Sequence, residues 1–134
     1  MSATLSKKES SATSKPMIKP TVVVLDDDAV VLMGWEMELQ NDVFVVLVES
    51  VNQLMQKFAD DTCMPQRISC VITDFWLGEQ NVLDQNIIEK LRAQNYNGPI
   101  LLSSNVGPEF NLSAFTATIP KQPMSLEALQ EFIK

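Results

Sequence analysis

Short apolar runs alternate with amphipathic segments along most of the chain. Five runs have the length and composition of buried strands, and they cover residues 21–25 (TVVVL), 43–48 (VFVVLV), 70–73 (CVIT), 99–103 (PILLS) and 115–119 (FTATI). Between them, apolar residues recur every three or four positions, as on one face of a helix. This spacing predicts helices over residues 29–40, 50–58, 84–95, 108–114 and 125–133, of which the fourth is short.

Two serines and one apolar face refine these helix predictions. Ser50 begins a Ser-x-x-Gln capping box, in which each side chain accepts a hydrogen bond from the backbone N–H of the other residue. Ser125 is the expected cap of the last helix. The third helix is expected to face the core through Ile87, Ile88, Leu91 and Asn95.

The alternation of strands and helices predicts the fold class. Strands that alternate with helices form parallel sheets joined by right-handed crossovers. The strands here are nearly continuous apolar runs, as in sheets that are covered on both faces. We therefore predict an α/β fold with a doubly wound sheet of five parallel strands and a short or degenerate fourth helix. Such folds bind their ligands beyond the carboxyl ends of the strands.

The first helix has two apolar sides. Leu32, Trp35 and Leu39 lie on the side expected to face the core, whereas a second apolar set, Val30, Met33 and Met37, falls elsewhere on the helix. A wider buried stripe would explain the second set. The alternative is an exposed methionine-rich patch that docks a partner, because methionine adapts to varied surfaces.

Charge and composition bound the classes of function. Residues 1–20 are rich in Ser, Thr, Lys and Pro and contain four Lys and one Glu, whereas the whole chain has a net charge of −7. We predict a flexible lead-in or linker over residues 1–20 and one domain over residues 21–134. The overall acidity argues against nucleic acid and membrane surfaces as partners, since both attract clustered Lys and Arg.

Histidine and cysteine usage narrows the chemistry further. The chain has no histidine, which excludes histidine metal ligands, histidine general bases and a phosphohistidine of its own. Its two cysteines, Cys63 and Cys70, form neither a disulfide framework nor a zinc pattern. The N-terminus lacks the apolar core of a signal peptide, and the apolar runs are too short to span a membrane. These features predict a cytoplasmic protein.

Polar side chains lie at or just after the ends of four of the five predicted strands. In chain order they are Asp26, Asp27 and Asp28, then Asp74, then Ser103 and Ser104, and finally Lys121. Because the carboxyl ends of parallel strands share one edge of the sheet, we expect these groups to converge. A carboxylate cluster suits a hard cation such as Mg²⁺. A carboxylate beside a bound cation can attack phosphorus, and a lysine and a hydroxyl can hold the transferred oxygens.

Simpler explanations exist for several of these residues. Asp28 can serve as the start of the first helix rather than as a metal ligand, because a carboxylate there accepts a backbone N–H. Asp26 and Asp27 could form a solvated turn. Ser103 and Ser104 could simply end a strand, and position alone favours Ser104 as the functional hydroxyl.

Taken together, the segments VVVLDDD, CVITDFWLG, PILLSSN and TIPKQP resemble the receiver domain of two-component response regulators. The resemblance covers residues 21–133 and implies a flavodoxin-like (βα)5 fold. It implies that Asp74 accepts a phosphoryl group and that Mg²⁺, or Mn²⁺, is bound by Asp26, Asp27, Asp74 and the backbone carbonyl of Trp76. Ser104 and Lys121 would then contact the phosphoryl oxygens.

The resemblance also implies partners and context. The donor would be a histidine kinase or a histidine phosphotransfer domain, which in receivers commonly meets the first helix. The chain would catalyse only its own phosphorylation and dephosphorylation. With its lysine-rich and serine-rich lead-in, it looks like the C-terminal receiver of a hybrid sensor histidine kinase, and a stand-alone single-domain regulator is the alternative.

Three departures from the family pattern leave a second hypothesis open. Gln122 separates Lys121 from Pro123, where the family has a proline directly after the lysine, and Thr118 stands at a usually aromatic position. The segment between Ser104 and Lys121 is also shorter than in a typical receiver. These departures favour an interaction module that signals without phosphorylation.

Two other classes fit the sequence less well. A Mg²⁺-dependent phosphohydrolase with an aspartyl nucleophile would generally need a second Asp at position 76, where Trp76 stands. A dinucleotide-binding domain would need a glycine-rich turn, which is missing from the sequence.

Overall fold

The structure, a computed structural model, describes residues 19–107 and 109–133. Most of the predicted lead-in, residues 1–18, therefore lies outside the described residues. In chain order the elements are β1 (Thr21–Leu25), α1 (Ala29–Leu39), β2 (Phe44–Val48), α2 (Val51–Ala59), β3 (Ile68–Thr73), β4 (Trp76–Leu77), β5 (Gln80–Asn81), α3 (Ile87–Ala93), β6 (Ile100–Ser103), β7 (Ala117–Ile119) and α4 (Leu126–Leu129).

The main sheet has five parallel strands in the order β2-β1-β3-β6-β7, which confirms the predicted fold class. The order reverses direction between β1 and β3, and this is the switch point at which doubly wound sheets bind ligands. Leu25 lies opposite Thr73, and Thr73 lies opposite Leu102, so the last residues of β1, β3 and β6 are nearly level.

The apolar core lies in two layers, one on each face of this sheet. On one face α2 and α3 bury Leu54, Ile87 and Leu91 against the strands. On the other face α1 and α4 bury side chains that include Trp35 and Leu129. The strands are covered on both faces, as their continuous apolar sequences predicted.

Serine caps position two of the helices as predicted. The Ser50 hydroxyl accepts a hydrogen bond from the Gln53 amide at the start of α2, and the Ser125 hydroxyl accepts one from the Ala128 amide in α4. The Gln53 side chain reaches back to the Glu49 amide, one residue before the position that a capping box predicts. The helix therefore gains one capped N–H group, that of Gln53, and the Gln53 side chain also binds the residue before the cap.

The third helix is shorter than predicted at both ends. Asn86 has a φ of 59°, a left-handed conformation that a helix cannot contain, so α3 begins only at Ile87. Asn95 has a φ of 66° and is exposed, so the prediction that it lies on the inner face is wrong. Ile87 and Leu91 are fully buried, as expected.

Within residues 109–116 the structure contains turns and no helix, so the short helix predicted over residues 108–114 is wrong. Phe110 and Leu112 pack against the core, and Phe115 is buried in it. These apolar residues are two, three and five positions apart, a spacing that does not form one helical face. The segment therefore covers the sheet with side chains from irregular backbone.

The last helix ends at Leu129, four residues before the predicted end. Ile133 is half-buried and packs against the core without belonging to a helix. In the described part of the chain, no helix has the length and apolar character needed to cross a membrane.

A small antiparallel hairpin, β4 and β5, follows the third strand and was not predicted. Gly78 has a φ of +74° and stands at the first position of its two-residue turn, where type II′ hairpin turns require glycine. The Val82 amide donates to the Phe75 carbonyl 2.8 Å away and closes the base of the hairpin. This hairpin places its turn above the carboxyl ends of β1 and β3.

Candidate functional site

Three carboxylates converge at the switch point of the sheet. Asp26, Asp27 and Asp74 each offer an oxygen, and these oxygens lie within 4.8 Å of one another. The cause is the strand register: β1 and β3 are neighbours, so the residues after Leu25 and Thr73 emerge side by side. The grouping that the sequence predicted at the strand ends is therefore present.

Backbone hydrogen bonds hold two of these acids rigidly. The Asp74 amide donates to the Leu25 carbonyl at 2.9 Å, and the Asp26 amide donates to the Val48 carbonyl at 3.1 Å. Asp26 and Asp74 are only 3% and 6% exposed, whereas Asp27 lies on the exposed side of the cluster. The sheet thus continues its hydrogen bonding directly into the site.

Lys121 supplies the positive charge of the cluster. Its Nζ atom donates to Asp74 Oδ2 at 2.9 Å and lies 3.6 Å from Asp26 Oδ2. Lys121 follows β7, which is separated from β3 by β6. Its side chain must therefore reach across two strand spacings, about 10 Å, to contact Asp74. The long, flexible lysine side chain can reach this far. Gln122, which separates Lys121 from Pro123 in sequence, does not prevent the contact between Lys121 and Asp74.

The pKa values of Asp26 and Lys121 are both raised. Burial raises the pKa of Asp26, the Asp28 amide opposes this shift, and the neighbouring Asp74 charge adds to it. For Lys121, burial lowers the pKa, but the hydrogen bond and charge of Asp74, together with Asp26, outweigh burial and raise it overall. A cation bound beside Asp26 would offset the acidic charges that contribute to its raised pKa.

Asp28 has the simpler of its two predicted roles. Its Oδ1 atom accepts a hydrogen bond from the Val30 amide at 2.9 Å, so Asp28 caps the N-terminus of α1. The Asp28 amide in turn donates to Asp26 Oδ1 at 2.9 Å. The helix start and the carboxylate cluster are thus joined through one residue.

The last residue of β6, Ser103, and the next residue, Ser104, have different surroundings. The Ser103 hydroxyl donates to the Pro120 carbonyl at 3.2 Å and so ties β6 to the loop that carries Lys121. Ser104 is 9% exposed and comes one residue later, beyond the level of Thr73. Since Ser103 already has a structural partner, Ser104 remains the candidate for phosphoryl contact.

An aromatic cluster lies beside the third carboxylate. The ring centroids of Phe75 and Phe110 are 4.7 Å apart, and the rings of Trp76 and Phe110 are 6.4 Å apart in an edge-to-face arrangement. Phe75 is fully buried, and Trp76 is 48% exposed. These rings connect the residues after Asp74 to the irregular segment before β7.

The second apolar side of α1 faces solvent. Val30, Met33 and Met37 are 75%, 58% and 71% exposed, so they do not widen the buried stripe. Gly34 lies between them in sequence, and a Cβ atom there would be 3.1 Å from Pro123 Cγ. The exposed patch therefore borders the loop that carries Lys121.

The candidate site lies at the carboxyl ends of the strands and is defined by its charged groups. A cavity of about 260 Å³ lies instead at the amino ends of the strands, where Thr21, Phe44 and Arg67 line it. Its lining includes none of the converging carboxylates. We assign the functional site by the clustered charges and not by cavity size.

Comparison with solved structures identifies the fold. The structure superposes on a response regulator receiver domain from Methylobacillus flagellatus with a TM-score of 0.64 and 17% identity, covering 87% of this chain and 100% of that one. Chemotaxis protein CheY4 of Vibrio cholerae gives 0.67 and 18%, with 86% and 99% covered. The chain has the receiver-domain fold.

A third similar structure shows this fold within a longer protein. The Legionella pneumophila response regulator LqsR matches with a TM-score of 0.61 and 14% identity, and the match covers 85% of this chain and 43% of that one. No protein-family model and no curated protein matches the sequence. At these identities the likeness concerns the fold, and the function has to be argued from the residues of the site.

Proposed function

We propose that this chain is a phospho-accepting receiver domain of two-component signal transduction. The observation that carries the proposal is the 2.9 Å contact between Lys121 Nζ and Asp74 Oδ2, beside two further carboxylates at the switch point of a receiver fold. A carboxylate nucleophile flanked by an ammonium group suits phosphoryl transfer, because the chemistry depends on positioning and charge stabilisation.

Asp74 is the proposed acceptor. One of its oxygens forms a bond to phosphorus while the bond from phosphorus to the donor imidazole nitrogen breaks. The imidazole keeps that electron pair and takes a proton from solvent. The Phe75 amide, which donates to Asp74 Oδ1 at 2.8 Å, orients the carboxylate. Lys121, which binds Asp74 Oδ2 before the reaction, then pairs with the negatively charged phosphoryl oxygens. Ser104 donates to another of these oxygens.

A divalent cation fits the remaining groups. Three carboxylate oxygens within 4.8 Å of one another offer only hard oxygen ligands, and the pKa of Asp26 is raised by burial and by its acidic neighbours. Asp26, Asp27, Asp74 and the carbonyl of Trp76 would hold Mg²⁺ or Mn²⁺. When bound, the cation supplies charge neutralisation to the transferred group.

We infer that the phosphohistidine donor lies outside these 134 residues, in another protein or in another domain of a longer one, because this chain has no histidine. A histidine kinase or a histidine phosphotransfer domain would dock on the exposed patch of α1 formed by Val30, Met33 and Met37, which borders the Lys121 loop. Apolar side chains exposed at one end of a charged site favour a protein partner over nucleic acid.

The wider context is part of the proposal. We infer a cytoplasmic domain of a hybrid sensor histidine kinase, with a stand-alone regulator as the alternative. The two cysteines of the chain are free and buried, which supports a reducing compartment. The domain would catalyse only its own phosphorylation and dephosphorylation.

Intact mass spectrometry tests the proposal. The protein is incubated with acetyl phosphate and Mg²⁺, and a gain of one phosphoryl group is expected for wild type and for Asp42→Asn, a matched change at an exposed aspartate beyond α1. Asp74→Asn should gain none. Equal labelling of Asp74→Asn and wild type would contradict the assignment of the acceptor.

Two observations favour a second candidate, a module that signals by interaction without phosphorylation. Residues 109–116 form no helix, and Thr118 occupies the usually aromatic position. This candidate predicts that beryllofluoride and Mg²⁺ leave the amide NMR signals around Asp74 unchanged. A Mg²⁺-dependent shift of these signals would reject it.

A further inference from the structure

The turn of the β4–β5 hairpin contacts a site carboxylate directly. The Gly78 amide donates a hydrogen bond of 2.9 Å to Asp27 Oδ2, across 51 positions of sequence. Asp27 is the exposed member of the carboxylate cluster, and burial does not restrain its side chain as it restrains Asp26 and Asp74. The orientation of Asp27 therefore depends on the hairpin.

The backbone of the turn explains why glycine stands at this position. Gly78 has a φ of +74°, and a Cβ atom there would meet no atom within 4 Å. Space is thus available for a side chain, and the constraint is the left-handed conformation itself. Any L-residue that moves the backbone out of this conformation turns the amide away from Asp27.

The Gln85 side chain braces the hairpin from below. Its Nε2 atom donates to the Gln80 carbonyl at 2.8 Å and to the Leu77 carbonyl at 3.4 Å, on either side of the turn. Asn81, which is only 5% exposed, exchanges two hydrogen bonds with Asp84 in the same loop. These hydrogen bonds connect both strands of the hairpin to the loop that follows it.

We propose that Gly78 and Gln85 are positioning residues of the cation site: the Gly78 amide orients the Asp27 carboxylate towards the cation, and Gln85 keeps that amide in place. The inference rests on the proposed cation-dependent function. A carboxylate has about four lone-pair directions, so one hydrogen bond leaves the others available for a cation. Removing a hydrogen bond that orients a metal ligand typically weakens metal binding about 10- to 100-fold.

A competing arrangement predicts the opposite sign. If the Gly78 amide competes with the cation for Asp27, its removal strengthens cation binding. In that case the Asp26 and Asp74 carboxylates bind the cation without help from the hairpin. The direction of the change in affinity therefore separates positioning from competition.

The test measures Mg²⁺ affinity in full-length variants by isothermal titration calorimetry. Gly78→Ala should weaken binding about 10-fold, whereas Gly78→Asn should change it less, because asparagine tolerates a positive φ. Gln85→Leu removes the brace and should also weaken binding. Gln80→Ala is the matched control, since Gln80 takes part through its backbone carbonyl.

A second measurement separates positioning from general damage to the fold. Hydrogen exchange at the Gly78 amide should be faster in Asp27→Ala and in Gln85→Leu than in wild type, while the thermal midpoint of Gln85→Leu in EDTA changes little. Unchanged or tighter Mg²⁺ binding by Gly78→Ala and Gln85→Leu, with normal binding by wild type, would overturn this inference alone. A wild type without saturable Mg²⁺ binding would overturn it together with the proposed cation dependence.

Discussion

Asp27→Asn should reverse its effect on stability when Mg²⁺ is added. The substitution removes one negative charge whose oxygen lies within 4.8 Å of oxygens of Asp26 and Asp74. Because Asp27 is exposed, the dielectric of water applies, and two unit charges 4.8 Å apart then repel by about 0.9 kcal/mol.

The repulsion of Asp27 by Asp26 and its repulsion by Asp74 contribute unequally to the free energy of unfolding. Asp26 and Asp27 are adjacent in sequence, so much of their repulsion persists in the unfolded chain, whereas Asp74 approaches only on folding. Asparagine can still accept the Gly78 hydrogen bond, though more weakly than a carboxylate. The net expectation without metal is a stabilisation of at most about 0.9 kcal/mol, or up to about 4 °C in thermal midpoint.

With Mg²⁺ at a hundred times its dissociation constant, the wild type gains about 2.7 kcal/mol by mass action. Asp27→Asn lacks one anionic ligand and should gain much less. The variant is therefore expected to melt above wild type in EDTA and below it in excess Mg²⁺. Circular dichroism melts under both conditions measure the crossover.

Asp28→Asn is the matched control for this experiment. It removes a neighbouring charge while asparagine preserves the cap of α1. Its melts should show no crossover. A lower midpoint for Asp27→Asn than for wild type in EDTA would refute the electrostatic reasoning, and parallel Mg²⁺ shifts in both proteins would refute the role of Asp27 as a ligand.

Three further predictions concern single residues. Lys121→Met should lower the free energy of unfolding at pH 7 by about 1–2 kcal/mol in urea titrations, because it leaves Asp74 without its partner, and Lys121→Arg should lose less. Burial raises the pKa of the Cys70 thiol from its ordinary 9.0 to about 12. The stability that the neutral thiol contributes is therefore intact below pH 9 and is lost as the pH rises towards 12. Cys70→Val, which has no thiol to ionise, should show a smaller fall of the thermal midpoint in alkaline melts. Ser125→Ala should cost about 1 kcal/mol in the same titrations through loss of the cap on the Ala128 amide, and Ser125→Asp should restore it.

The sheet could be predicted from the sequence because its strands are buried on both faces. Short, continuous apolar runs such as VVVL and CVIT favour strands that are buried on both faces. Right-handed crossovers between such strands then allow few topologies. The grouping of Asp26, Asp74 and Lys121 at one edge follows from the same topology. Their distances do not, because they depend on strand register and on the reach of Lys121.

The features that could not be predicted depend on single backbone conformations. Asn86 adopts a left-handed conformation and delays the start of α3, although the apolar spacing before it suggests a helix. The hairpin around Gly78 has only that glycine as a sequence signal, because its strands are two residues long. Periodicity averages over about ten residues and does not detect either feature.

The segment before β7 illustrates a different limit. Phe110 and Phe115 could have suggested apolar anchoring without a helix, since their spacing does not fit one helical face. Their partners, which include Phe75, lie far away in sequence. Long-range aromatic packing of this kind leaves no local pattern in the chain.

The parallel topology also determines when the site can exist during synthesis of the protein. Asp26, Asp74 and Lys121 follow β1, β3 and β7, so a ribosome that has released the chain as far as residue 100 has exposed the acids and not the lysine. Until the last strand docks, the nascent domain carries the repulsion of the site without its internal counter-ion. Charge neutralisation thus comes late in folding, and a chain truncated before residue 121 should depend on external cations to complete its sheet.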